Sequence, residues 1–246
     1  YRPMQGQLWR MVPIETHRGC PYTCAYCNSP SQNKIYSLVQ QRFFRKRTIE
    51  SVREEISHCL ERYNANSFYF WADTFLAWSD REFDEFCEMY AQFKLPFWIQ
   101  TRPETVTEYK FRRLKEVGLL RVSFGVEHGN PEFRDKTLSR KIENDTIVSN
   151  LNILYDLGIP FSVNNIMGFP LETRELAFDT IELNRSIKSD GMNAYAFTPF
   201  HGVPLRSTAE SLGYVKPGEI ARSIMKPTML RMPQWSKEEI EGLRRC

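Results

Sequence analysis

Short apolar runs alternate along this chain with segments whose apolar residues recur every three or four positions. The run "MVPIE" (residues 11 to 15) predicts a first strand. After a cysteine-rich loop and a polar connection, Ile49, Val52, Ile56, Leu60 and Tyr63 fall on one helical face. "SFYFW" (67 to 71) predicts a second strand. Ser79, with Glu82 three residues on, then forms a capping box for a helix carrying Phe83, Phe86, Tyr90 and Phe93. "FWIQT" (97 to 101) is the third strand, and its helix, with Phe111, Leu114 and Val117, ends at Gly118, a residue suited to the left-handed stop. "LLRVSFGV" (119 to 126) is the fourth, followed by a helix through Ile147, Leu151, Leu154 and Tyr155 that stops at Gly158. "FSVNNIM" (161 to 167) and "MNAYAF" (192 to 197) are the fifth and sixth, separated by a helix around Leu176 to Ile187.

Six strand-helix units in a row imply an α/β fold with a parallel sheet and right-handed crossovers. No linker rich in Gly, Ser or Pro divides them, so residues 1–216 read as one domain. Residues 217–246 carry Pro217, Pro227 and Pro233 and then a second capping box at Ser236 and Glu239, the expected start of a C-terminal extension.

Charge narrows the partners. Among 246 residues, 33 are Lys or Arg and 30 are Asp or Glu, for a net charge of +3, and the sole basic run, "RFFRKR" (42 to 47), reads as a solvated loop, with a phosphate-binding patch as the alternative. This gives no strong nucleic-acid signal. No apolar stretch reaches the roughly 18 residues of a membrane span, and no signal-peptide pattern opens the chain. A soluble, cytoplasmic protein is the expectation. The chain opens at Tyr1 as though in mid-protein and reads as a fragment.

The candidate chemistry begins in "RGCPYTCAYC" (18 to 27), which holds three of the six cysteines. Such crowding suits metal binding in a reducing compartment better than a disulfide framework. Cys59 and Cys87 lie in helical patterns and read as buried thiols, and Cys246 is given no role. Parallel sheets bind ligands at the carboxyl ends of their strands. The cysteine loop follows the first strand, Asp73 the second, Gln100 and Arg102 close the third, Glu127 follows the fourth, and Asn164 and Asn165 interrupt the fifth. Each alone is also an ordinary turn or surface residue; their common position argues for a site.

Three cysteines leave a coordination question open. A closed zinc site needs four ligands, and His17 would complete the set. A cluster that only carries electrons also wants four protein ligands. Three thiolates can instead hold three irons of a 4Fe-4S cube and leave the fourth open to a substrate or cofactor.

"CPYTCAYC" matches the Cys-x3-Cys-x-aromatic-Cys motif and so resembles the radical S-adenosylmethionine (radical SAM) superfamily, whose core is a partial (β/α)6 TIM-like barrel. The blocks "PIETHRGCPYTCAYC", "FYFWADTF", "FGVEHGN", "NNIMGFPLET" and "FTPFHGVPL" are similar to the branch that often carries an N-terminal cobalamin-binding domain. The resemblance makes residues 1–216 the radical SAM core. It implies that Cys20, Cys24 and Cys27 ligate the cluster and that the SAM amino and carboxylate groups chelate the open iron. Tyr26 would pack near the adenine, and Asp73 would face the SAM amino group, although "WAD" lacks the two glycines of some relatives. Glu127 would bind the ribose or pair with Arg102, with Gln100 and Arg102 in the same cofactor-binding set. Asn164 and Met167 fall in the fifth-strand block that lines the adenine. His128 and His201 depart from the pattern and read as structural.

The implied activity is reductive cleavage of SAM to a 5'-deoxyadenosyl radical for C–H activation, fed by a one-electron donor such as flavodoxin or ferredoxin. Methyl transfer with cobalamin, held by a domain outside this chain, is the favoured outcome. A cobalamin-free enzyme acting on a small metabolite, and a non-catalytic iron-sulfur or zinc protein, are the alternatives. The substrate is not legible.

Overall fold

The described residues of the computed structural model are 1–245, so Cys246 lies outside them. The chain opens with a hairpin, β1 (Arg2–Met4) and β2 (Gln7–Trp9), turned at Gln5 and Gly6 with φ of 52° and 72°, the doubly left-handed geometry that matches hairpin twist. β3 (Met11–Glu15) and the short β4 (His17–Arg18) lead into the cysteine loop, followed by α1 (Ser29–Leu38), β5 (Arg45–Lys46) and α2 (Ile49–Tyr63). Alternation is then regular: β6 (Ser67–Trp71), α3 (Asp80–Tyr90), β7 (Phe97–Thr101), α4 (Glu108–Glu116) and β8 (Leu119–Glu127). After α5 (Pro131–Lys136) and α6 (Asn144–Asp156) come β9 (Phe161–Met167), α7 (Arg174–Arg185), β10 (Gly191–Ala196), α8 (Pro204–Ser211) and α9 (Lys237–Leu243).

The six expected strands form one sheet in the order β10-β9-β8-β7-β6-β3, parallel at every pairing. This is the partial barrel: an arc with helices outside and a concave face within. Strand alternation decides what each face holds. In β6, Phe68 and Phe70 are fully buried toward the helices, and Phe70 meets Phe86 and Tyr90 of α3 edge-on at 5.1 and 5.3 Å. Burying each such ring contributes about 2–3 kcal/mol. Tyr69 and Trp71 take the other parity and turn away from that core. The helices start where the sequence placed them: Thr48 accepts from Ser51 N, and Ser79 with Glu82 completes the capping box. Among the described residues no helix is long and apolar enough to cross a membrane.

The structure corrects three readings. The polar connection after the cysteines contains α1, missed because Ile35, Leu38 and Val39 are exposed and make no buried stripe. The "RFFRKR" run is not a free loop: Arg45 and Lys46 pair with Arg18 and His17, Lys46 Nζ lies 2.6 Å from Glu82, and Arg47 pairs with Glu55. Tyr63 and Tyr155 continue their helical stripes in sequence but stand exposed in space. Residues 228–240 pack onto the core, with Trp235 and Ile240 buried in a cluster with Phe169 and Leu205. Gln234 Nε2 donates to the Glu172 carbonyl at 3.0 Å, and Arg244 Nη1 donates to the Ala194 carbonyl at 3.4 Å.

Candidate active site

The cysteine loop is fixed by its backbone before any side chain acts. Gly19 has φ of +81°, and a β-carbon there would stand 2.6 Å from the Phe43 ring, so both conformation and space call for glycine. Ala25 N donates to the Leu138 carbonyl at 3.0 Å, and the Ala25 carbonyl accepts from Leu205 N at 3.1 Å. Asn33 Nδ2 in α1 donates to the Cys20 carbonyl at 3.2 Å. The thiols are free; Cys20 and Cys24 are buried and Cys27 is half-buried.

Each sulfur has a polar neighbour. Arg102 Nη1 donates to Cys24 Sγ at 3.0 Å, Ser29 N donates to Cys27 Sγ at 3.5 Å, and the Thr74 hydroxyl lies 3.5 Å from Cys20 Sγ. Burial pushes the Cys20 and Cys27 thiols up from their ordinary pKa, with these hydrogen bonds opposing. Nine of the ten sequence-derived site residues line one cavity of about 230 Å³ over this loop. Met167 does not. In β9 it shares the parity of Asn165, facing the helices, where it is buried in the cluster with Ala25 and Phe169, whereas Asn164 points inward.

Behind the thiols runs a chain of alternating charge. Arg102 lies 3.8 Å from the centre of the Tyr22 ring and bonds Glu104 Oε1 through Nε and Nη2 at 3.0 and 2.6 Å. Glu104 in turn takes Arg140 Nη2 at 2.9 Å, and Arg140 Nη1 reaches Glu127 Oε1 at 3.5 Å and the Tyr26 hydroxyl at 3.4 Å. Glu127 therefore pairs with Arg140 and not with Arg102. Glu104 and Arg140 escaped the sequence reading because neither sits at a strand end: one lies on the turn after β7, the other on the loop after α5. Burial pushes the Glu127 carboxyl up against the pull of Arg140. Burial works in the same direction on Glu104, but Arg140 and Arg102 outweigh it and hold that carboxyl below the usual range.

Glu127 is also held by an unusual backbone. Its φ is +73°, and the β8–β9 register shifts between Gly125 and Glu127. The side chain folds back over Gly125, where a β-carbon would stand 2.1 Å from Glu127 Oε1. Asp73, exposed at the edge of the cavity, has no hydrogen-bond or ion-pair partner among the described residues, and partial desolvation, then Glu15, raises its pKa. It presents a free acceptor to whatever enters. Gln100 Nε2 is taken by the Ala72 carbonyl at 3.1 Å, and Asn164 Oδ1 accepts from Asn193 at 3.0 Å.

This donor set fits a 4Fe-4S cluster. Three free thiols line one cavity, and a cube takes each thiolate on a different iron. His17 does not line the cysteine cavity. Its ring is buried against Trp78 at 4.2 Å between centroids, and Nδ1 lies 2.8 Å from the Thr16 hydroxyl. Burial, and secondly the Lys46 ammonium, lowers its pKa from 6.5 to about 4. The folded pKa is depressed, so the unfolded chain takes the proton first and stability is lost as pH falls from 6.5 to about 4. The loss is on the order of 3 kcal/mol. We expect urea midpoints of the cluster-free protein to fall across that window and those of His17→Gln to stay flatter; parallel profiles would refute the assignment. His128 is fully buried, with Nδ1 accepting from Asn130 N at 3.0 Å and Nε2 3.3 Å from Glu172, while His201 is exposed.

The profile of the Radical SAM superfamily matches residues 14–183. An uncharacterized methyltransferase of Pyrococcus horikoshii is 28% identical over 197 residues, covering 78% of this chain and 40% of that protein. The anaerobic magnesium-protoporphyrin IX monomethyl ester cyclase of Rubrivivax gelatinosus is 29% identical over 203 residues, covering 80% of this chain and 34% of the cyclase. Among solved structures, the radical S-adenosylmethionine methyltransferase TsrM of Kitasatospora setae, with cobalamin and a 4Fe-4S cluster bound, superposes with a TM-score of 0.69. That likeness, at 16% identity over 86% of this chain and 39% of TsrM, speaks for the fold. The chain spans only 34% to 40% of the length of these proteins.

Proposed function

Since the chain belongs to the radical SAM superfamily and is a radical SAM enzyme, we propose that its cavity holds a 4Fe-4S cluster on Cys20, Cys24 and Cys27 with SAM beside it. We propose further that the whole protein uses them for methyl transfer, with cobalamin held by a region outside this chain and electrons from a flavodoxin- or ferredoxin-like donor. The observation that carries the first step is the set of three free thiols, each with its own polar neighbour, under a cavity that also presents the unpartnered Asp73.

When bound, cluster and SAM supply hydrogen abstraction from an unreactive carbon. The remaining work belongs to the side chains. Arg102 holds Cys24 Sγ and is itself fixed by Glu104 and Tyr22, so the sulfur meets an immobile cation. Asp73 accepts from the SAM ammonium. Glu127, pinned over Gly125 by Arg140, offers a carboxylate to the ribose hydroxyls. Tyr26, half-buried against Phe169 at 6.0 Å, forms part of the cavity wall and helps keep water from the reacting carbon. Methyl transfer draws on the relative named a methyltransferase; the cyclase relative, of similar identity, supports ring closure as the second reading.

The test is electron paramagnetic resonance on the anaerobically reconstituted, reduced full-length protein with and without SAM, followed by assay for 5'-deoxyadenosine. A reduced-cluster signal that changes shape with SAM, and release of the nucleoside, are expected. A signal indifferent to SAM would overturn the reading in favour of electron transfer. SAM with a deuterated methyl group then separates the two outcomes, since only methyl transfer carries the label into product.

A further inference from the structure

Toward the amino ends of the strands, the concave face opens into a second cavity of about 640 Å³, which shares Gln100, Ser123 and Asn164 with the cysteine cavity. The two adjoin across those three side chains. Their chemistry differs sharply. The upper part is lined by both signs of charge, whereas the lower part receives Arg121 from β8 and Arg2 from β1 and has no Asp or Glu in its lining.

The two guanidinium groups are also unclaimed. The side chains of Arg2 and Arg121 have no ion pair or hydrogen bond to a protein group among the described residues; Arg2 instead lies 4.5 Å from the centre of the Trp98 ring. Arg121 is half-buried and reaches over Ser162 toward β10, where a β-carbon built on Gly191 would stand 3.7 Å from its Nη2. Elsewhere in this protein partly or fully buried arginines are held: Arg102 by Glu104, Arg140 by Glu104 and Glu127, Arg134 by the His128 and Ile142 carbonyls, Arg206 by Glu210. A half-buried guanidinium left facing a cavity with no carboxylate has its donors free for a ligand. Beside it, the Ser123 and Ser162 hydroxyls lie 3.1 Å apart, and Ser123 is oriented by Trp98 Nε1 at 3.1 Å.

We propose that this lower cavity is an anion-recognition subsite in which Arg121, assisted by Arg2 and the two serines, binds a carboxylate or phosphate group. Its planar fork matches either group through paired hydrogen bonds, which a lysine would not. Trp98, with Arg2 4.5 Å over its ring and the Tyr69 ring 4.5 Å away, is fixed between two neighbours and orients Ser123. Identifying the molecule that bears the anionic group as the substrate rests on the catalytic reading above: held by its anionic end at the floor, it would extend its reacting carbon up past Gln100 and Asn164 to the cysteine cavity.

Calorimetric titration of the full-length protein with inorganic phosphate and, separately, with glutarate tests this, with sodium chloride at matched ionic strength as the blank. Saturable binding of at least one anion is expected, weakened about tenfold or more in Arg121→Gln and less in Arg121→Lys. The anion that binds better tells phosphate from carboxylate recognition. No saturable binding of either, or equal binding by Arg121→Gln, would overturn the subsite. The response of the wild-type cluster signal to SAM is recorded in parallel. A normal response without anion binding defeats this inference alone; anion binding lost in Arg121→Gln, without a SAM response, upholds the subsite and defeats the catalytic reading.

Discussion

A Cys24→Ala protein will hold no intact 4Fe-4S cluster after anaerobic reconstitution and will release no 5'-deoxyadenosine above background. The expectation is loss and not attenuation, because each thiolate anchors one iron and a cube with two protein ligands has a second iron open to solvent. Outer groups that merely orient a ligand cost roughly 10–100-fold when removed; a ligand itself should cost far more. The substitution also leaves Arg102 donating to nothing on its cysteine side, a half-buried cation still tied to Glu104. Cys59→Ala and Cys87→Ala are the matched controls, since both thiols are buried in the helix-facing core, remote from the cavity lining. They should keep iron content and rate. Full iron and normal turnover in Cys24→Ala would end the assignment.

The second large effect is on stability. Arg140→Met should lower the unfolding free energy by about 3–5 kcal/mol, the usual consequence of removing one partner from a buried charge network. Arg140 is 2% exposed and serves two carboxylates at once, Glu104 and Glu127. Without it, Glu104 keeps only Arg102, and Glu127, already pushed toward its neutral form by burial, loses its cation. Replacing the acid that depends on Arg140 should restore much of the loss, so Glu127→Gln combined with Arg140→Met should be more stable than Arg140→Met alone. Urea denaturation of the cluster-free proteins decides it. A loss under about 1 kcal/mol in the single variant would put the network in the class of exposed pairs.

What could be read from sequence, and what could not, follows from how each feature is encoded. The strands were legible because their helix-facing positions, such as Phe68 and Phe70 or Phe97 and Ile99, pack into one continuous core that demands apolar residues. Helix starts were legible because a capping box is a local code. The cysteine loop was legible for the same reason, its ligands lying within a few residues of one another. Met167 was misplaced because a block match ignores parity: one residue along a strand is the opposite face. Glu104 and Arg140 were illegible because their meaning arises only when residues 36 apart are brought into contact, and neither neighbourhood looks different from a surface loop. α1 was hidden by an exposed apolar set that buries nothing.

The arc ends at β10, which among the described residues pairs only with β9. Its outer edge therefore presents a row of amides and carbonyls with no neighbouring strand, and Arg244 answers one of those carbonyls from the closing segment. The same segment seats Trp235 and Ile240 on the apolar cluster around Phe169. A chain cut near residue 216 would retain every strand of the sheet, yet bare both the strand edge and the apolar patch beside it. Its failure would be intermolecular, edge meeting edge in self-association, before any loss of secondary structure.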